Sequence, residues 1–63
     1  MAMRKEILET IKNYAEVNGL ELTLIEGGNY AKVTLGDRRT VIGRHAEINE
    51  LTTRAIYEQL GMN

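Results

Sequence analysis

Apolar residues recur at helical spacing from the start of the chain. Met3, Ile7, Leu8, Ile11, Tyr14 and Ala15 form one stripe, with Arg4, Lys5, Glu9, Lys12 and Glu16 on the opposite face, which predicts an amphipathic helix. Asn18-Gly19 supplies a left-handed stop. Beyond Gly19 the period drops to two. Leu20, Leu22 and Leu24 alternate with Glu21 and Thr23 and predict a half-buried strand. Gly27-Gly28-Asn29, all tolerant of positive φ, predict a turn. Ala31, Val33 and Leu35 then alternate with Tyr30, Lys32 and Thr34 in a second strand, and Gly36-Asp37 turns the chain again. A third strand runs through Arg38 to Ile42, with Arg39 and Val41 on one face and Arg38, Thr40 and Ile42 on the other. Gly43-Arg44-His45 leaves the sheet. Asn49 caps a second helix whose stripe is Leu51, Ala55, Ile56 and Leu60, ended by Gly61.

The predicted order is α-β-β-β-α. Short turns make the sheet a three-stranded antiparallel meander. A sheet this small is covered most economically by placing both helices on one face and leaving the other wet. The expected fold is therefore a single α+β domain spanning residues 1–63.

Composition narrows the chemistry. The chain is 63 residues long, 43% hydrophobic and only 5% aromatic, with three Tyr and neither Trp nor Phe, so the core must be aliphatic. Burial and chain entropy nearly cancel at this size, and a partner or self-association as a homo-oligomer is an expected further source of stability. The absence of Cys excludes disulfides, Cys-based zinc sites and a thiol nucleophile. A single His excludes a multi-histidine metal site, no acidic spacing matches a calcium loop, and no cofactor is expected. No apolar run approaches a membrane span and the start lacks a signal-peptide stretch, so a cytoplasmic protein without membrane association is expected.

Charge is unevenly distributed. The net charge is −1, which argues against wholesale electrostatic capture of nucleic acid. Between Gly27 and Ala46, however, Lys32, Arg38, Arg39 and Arg44 face only Asp37, for a local charge of +3, and the rest of the chain carries −4.

Gly27-Gly28-Asn29-Tyr30, Arg38-Arg39-Thr40-Val41, Gly43-Arg44-His45 and Leu51-Thr52-Thr53-Arg54-Ala55-Ile56 with Leu60-Gly61 occur in an order and at separations that resemble the HicA family. The family consists of small toxins of toxin–antitoxin modules, and the likeness covers nearly the whole chain. The resemblance implies a fold similar to the double-stranded RNA-binding domain, RNA cleavage, and a HicB-like antitoxin that masks the active surface. It also implies a catalytic histidine in a Gly-Ser-His turn at the start of the second strand. Here the matching positions are Gly27, Gly28 and Asn29. An imidazole can take or give a proton near neutral pH, whereas a carboxamide only donates and accepts hydrogen bonds. Losing acid–base help costs on the order of 10²–10⁴ in rate, so no catalytic residue is expected. His45, at a place where the family also has a histidine, is the one imidazole left. Its readings are a displaced catalyst, a phosphate contact beside Arg44, or an ordinary side chain at the strand exit.

The expected nucleic-acid contacts are Lys32, Arg38, Arg39, Arg44 and His45, with Tyr30 placed to stack on a base. Arg38 and Arg39 are strand neighbours and must point to opposite faces. The competing reading makes these charges a solvated sheet face and a guarded strand edge. Glu47 and Glu50 at the start of the second helix suit its dipole and repel phosphates. Thr52, Thr53 and Arg54 remain within reach of a phosphate, although Arg54 also has Glu50 and Glu58 one turn away. Tyr14 belongs to the core with its hydroxyl at the rim, and Tyr57 is half exposed. Met1, Met3 and Met62 are expected as terminal packing or disorder.

Three functions follow. The first is a HicA-like RNA-binding protein with little or no cleavage. The second is a protein-binding module, such as an inhibitor, decoy or regulatory partner of the kind a mobile element carries. The third is an active mRNA interferase that uses His45.

Overall fold

A computed structural model describes residues 2–62, so the expectation for Met1 lies outside the described residues. Helix α1 spans Arg4–Asn18 and buries Ile7, Ile11 and Ala15. Gly19 ends it in the left-handed conformation, its N–H donating to the Glu16 carbonyl while the Leu20 N–H donates to the Ala15 carbonyl. Strands β2 (Leu22–Glu26), β3 (Tyr30–Leu35) and β4 (Arg38–Gly43) form an antiparallel sheet in that spatial order. Helix α2 spans Glu50–Gln59, and the Asn49 side chain accepts from the Thr52 N–H at 2.7 Å, as expected of its cap. The α-β-β-β-α plan and the three-stranded sheet stand as the periodicity predicts.

Alternation in β3 fixes the two faces of the sheet. Ala31, Val33 and Leu35 are buried and Tyr30, Lys32 and Thr34 exposed. Across the ladders, Leu22 pairs with Leu35, Val33 with Thr40 and Ala31 with Ile42, so these side chains share the inner face. They meet Ile7, Ile11 and Ala15 of α1, together with Ile48, Ile56, Leu60 and Met62. The core is aliphatic, as the composition required.

Four local details differ from the sequence pattern. A two-residue strand β1 (Ala2–Met3) pairs antiparallel with β5 (Glu47–Ile48), joining the chain start to the entry of α2. Such short segments carry no legible period. Strand β2 starts at Leu22, leaving Leu20 before it, and Leu24 remains 43% exposed because β2 is a sheet edge. None of Gly27, Gly28 and Asn29 adopts positive φ. Finally, α2 turns a different face inward. Ile56 and Leu60 are buried with Thr53 and Tyr57 half-buried, whereas Leu51 is 76% exposed and Ala55 is also exposed.

The end of α2 shows why. Gly61 takes φ 73°, the Gly61 N–H donates to the Glu58 carbonyl, and the Met62 N–H donates to the Tyr57 carbonyl at 2.8 Å. This closure needs a residue without a Cβ penalty, and it swings Met62 into the core. Tyr14 is half-buried and its hydroxyl donates to the Gly61 carbonyl at 3.4 Å, which puts the phenol at the rim. Met3 is exposed on β1. Among the described residues, no helix is long and apolar enough to cross a membrane.

Candidate nucleic-acid interface

Both helices cover the inner face of the sheet, so the outward side chains of β2, β3 and β4 form an open surface. Thr23, Thr34 and Arg39 lie in one row across the strands, and Ile25, Lys32 and Val41 in the next. Tyr30 begins a third row opposite Gly43. None of the outward positions within the strands is a carboxylate. Tyr30, Ile25 and Val41 are each about half exposed or more, at 49%, 60% and 54%. Lys32 sits two residues from Tyr30, about 7 Å along the strand. Arg39 is its diagonal neighbour, about 7–8 Å away between backbones.

The six predicted contact residues do not converge. Tyr30, Lys32 and Arg39 share the open face. Arg38 lies on the opposite face, where its guanidinium carbon is 3.6 Å from the Cβ direction of Gly61, beyond the end of α2. Arg44 is engaged at the end of the sheet. Its backbone N–H donates to the Asn29 carbonyl at 3.3 Å and its Nη1 to the Gly27 carbonyl at 2.8 Å. Its Nη2 lies 3.8 Å from Glu26, whose other carboxylate oxygen pairs with Arg4. Arg4 also donates from Nε to the Gly43 carbonyl at 3.1 Å and from its backbone N–H to the Ala46 carbonyl at 2.8 Å. One carboxylate between two guanidinium groups thus clamps the start of α1, the end of β2 and the exit of β4.

This clamp shapes the hairpin tip at Gly27–Tyr30. The Gly27 N–H donates to the Tyr30 carbonyl at 2.9 Å. A Cβ at Gly27 would fall 2.7 Å from that oxygen, so only glycine allows the approach. Asn29 is exposed at the tip. The Arg44–Asn29 bond brings the strand exit alongside the tip, with exposed His45 one residue further on. The ring edge of His45 lies 3.4 Å from the Cβ direction of Gly43, and among the described residues no hydrogen bond orients it.

No family model, no curated protein and no solved structure matches this chain. The chemistry of the surface stands on its own residues. An open sheet face with an accessible phenol and two cations can hold a nucleic-acid strand by stacking and phosphate contact. The tip beside it offers an amide and one unoriented imidazole, which is a poor set for moving protons.

The sequence pattern did not single out two members of this region. Helical spacing puts Arg4 on the solvent face of α1, and nothing local marks it as the partner of a residue on β2. Ile25 follows from alternation once Leu24 is turned inward, and it pairs across the sheet with Lys32.

Proposed function

We propose that this domain is a HicA-like RNA-binding protein that holds RNA without cutting it efficiently, acting in the cytoplasm. The observation that carries the reading is the placement of Tyr30, Lys32 and Arg39 on one open face where, among the described residues, no outward strand position is a carboxylate. Tyr30 stacks on an unpaired base while Lys32 and Arg39 meet successive phosphates. Asn29, at the edge of that face, contributes hydrogen bonds to a base or phosphate but no proton transfer. Glu47 and Glu50 keep the start of α2 away from the strand.

The test is the salt dependence of binding to a labelled single-stranded RNA. Two phosphate contacts give a slope of log K against log salt of about −1.4, whereas all four predicted cations would give about −2.8. A slope near zero removes the reading.

A second reading draws on Ile25 and Val41, whose exposed side chains flank Lys32 from both neighbouring strands. A mixed apolar and cationic face of this kind suits a protein partner, such as a HicB-like antitoxin or another regulatory target. Pull-down from nuclease-treated lysate separates the two, because an RNA-dependent association is lost and a protein partner is retained.

A further inference from the structure

The two edges of the main sheet are treated very differently. Strand β4 carries Arg38 and Arg39, and α2 packs along it with the Thr40 hydroxyl donating to Gln59. Charged side chains and a covering helix are the usual protection of a sheet edge. Strand β2 has no cation and no helix packed along it to the same extent. Its sequence, Leu22-Thr23-Leu24-Ile25-Glu26, contains no Lys, Arg or Pro, and its register with β3 runs without a bulge. Leu24 on the inner side and Ile25 on the outer side are both substantially exposed. The one charge on the strand, Glu26, is already engaged by Arg4 and Arg44.

The backbone hydrogen bonds show which groups this edge presents. The Gly36 N–H donates to the Glu21 carbonyl and the Gly27 N–H to the Tyr30 carbonyl, each at 2.9 Å. Antiparallel bonding alternates, so Glu21, Thr23, Ile25 and Gly27 direct their backbone groups toward β3. Leu22, Leu24 and Glu26 therefore direct theirs away from it. No other strand among the described residues pairs on that side.

We infer that β2 is the pairing edge of a homodimer, joined antiparallel to β2 of a second copy about a two-fold axis at Leu24. The outward set is self-complementary. Leu24 faces Leu24 of the second copy and Leu22 faces Glu26, and every one of these positions is a hydrogen-bonded pair in which both donors and both acceptors are used. Antiparallel pairing of one strand with itself is two-fold by construction, so the contact closes at a dimer and does not propagate. It also covers Leu24 with its own copy and closes the β2 edge of the main sheet. Lys32 and Arg39 of both copies then lie on the same side of a continuous sheet. The two β3 strands are separated by about 14 Å, which lengthens the cationic face.

Single cysteines in this cysteine-free chain test the arrangement. A hydrogen-bonded antiparallel pair holds its Cα atoms about 5.5 Å apart, within the disulfide range. Mild oxidation of Leu24→Cys is expected to give a disulfide-linked dimer as the major species, while Val41→Cys, exposed on the open face, forms no disulfide link between copies. Sedimentation equilibrium of the unmodified protein is expected to give twice the 7.1 kDa chain mass. Leu24→Lys, which sets two ammonium groups opposite each other, is expected to halve that mass with an unchanged far-UV circular dichroism spectrum. A monomeric unmodified protein, or equal crosslinking through positions 24 and 41, overturns the proposal and leaves the edge to a strand from another protein.

Discussion

The Arg44 guanidinium donates to the Gly27 carbonyl across 2.8 Å, linking the exit of β4 to the turn between β2 and β3. A residue that the charge pattern marks for phosphate is thereby a brace for the hairpin tip. Arg44→Ala is expected to lower stability by about 1 kcal/mol, the usual net value of such a bond. For a domain of this size that shifts Tm by about 4–8 °C. RNA affinity should fall less than for Lys32→Ala. Thermal melts and binding titrations on the same samples check both halves. A large affinity loss at unchanged Tm would return Arg44 to the contact set.

The open face makes a sharper distinction among the remaining cations. Lys32→Ala and Arg39→Ala are each expected to weaken RNA binding and to reduce the salt slope by about 0.7, one phosphate apiece. Arg38→Ala, on the helix side, should leave the slope unchanged. Tyr30→Ala is expected to cost about 1–3 kcal/mol of binding with no change in slope, because stacking releases no counterions. Equal effects for Arg38 and Arg39 would contradict a single binding face.

How much of this was legible beforehand depends on the range of the interaction. The stripe from Ile7 to Ala15, the alternation from Ala31 to Leu35 and the Asn49 cap are local signals, and each element formed where its signal lay. The opposite placement of Arg38 and Arg39 also follows from strand geometry alone. The engagement of Arg44 was not legible, since it depends on Glu26 and Gly27, which reach it only after the sheet has formed. Arg4 was hidden for the same reason, its partners being 22 and 39 residues away in sequence. The rotation of α2 has no local signal, because Leu51 and Ala55 fit a helical stripe as well as Thr53 and Tyr57 do. Only the Gly61 closure and the burial of Met62 select between them.

That choice of face yields a stability prediction. Ile56→Ala is expected to cost about 2–5 kcal/mol, since it opens a cavity under α2. Leu51→Ala should change stability by no more than about 0.5 kcal/mol, the side chain being 76% exposed. Urea unfolding followed by circular dichroism measures both. If Leu51→Ala proved the more damaging, α2 would have to be turned by roughly a third of a circle.

The last prediction concerns the hairpin tip. Asn29 sits in an exposed turn whose backbone is held by Arg44 and by the Gly27–Tyr30 bond, so replacing its side chain leaves the fold intact. Asn29→His introduces a group that titrates near neutral pH beside the open face. The variant is expected to cleave bound RNA about 10²–10⁴ times faster than the unmodified protein, the range that acid–base assistance supplies. Its rate should fall when Lys32 or Arg39 is also removed, because the strand must be held for the imidazole to act. His45→Ala in the unmodified protein should leave any residual cleavage unchanged, since among the described residues no hydrogen bond orients that ring. Cleavage of a labelled transcript by nuclease-free preparations, with growth of expressing cells as a second readout, decides the matter. Efficient cleavage by the unmodified protein that disappears in His45→Ala would make this chain an active ribonuclease working through His45.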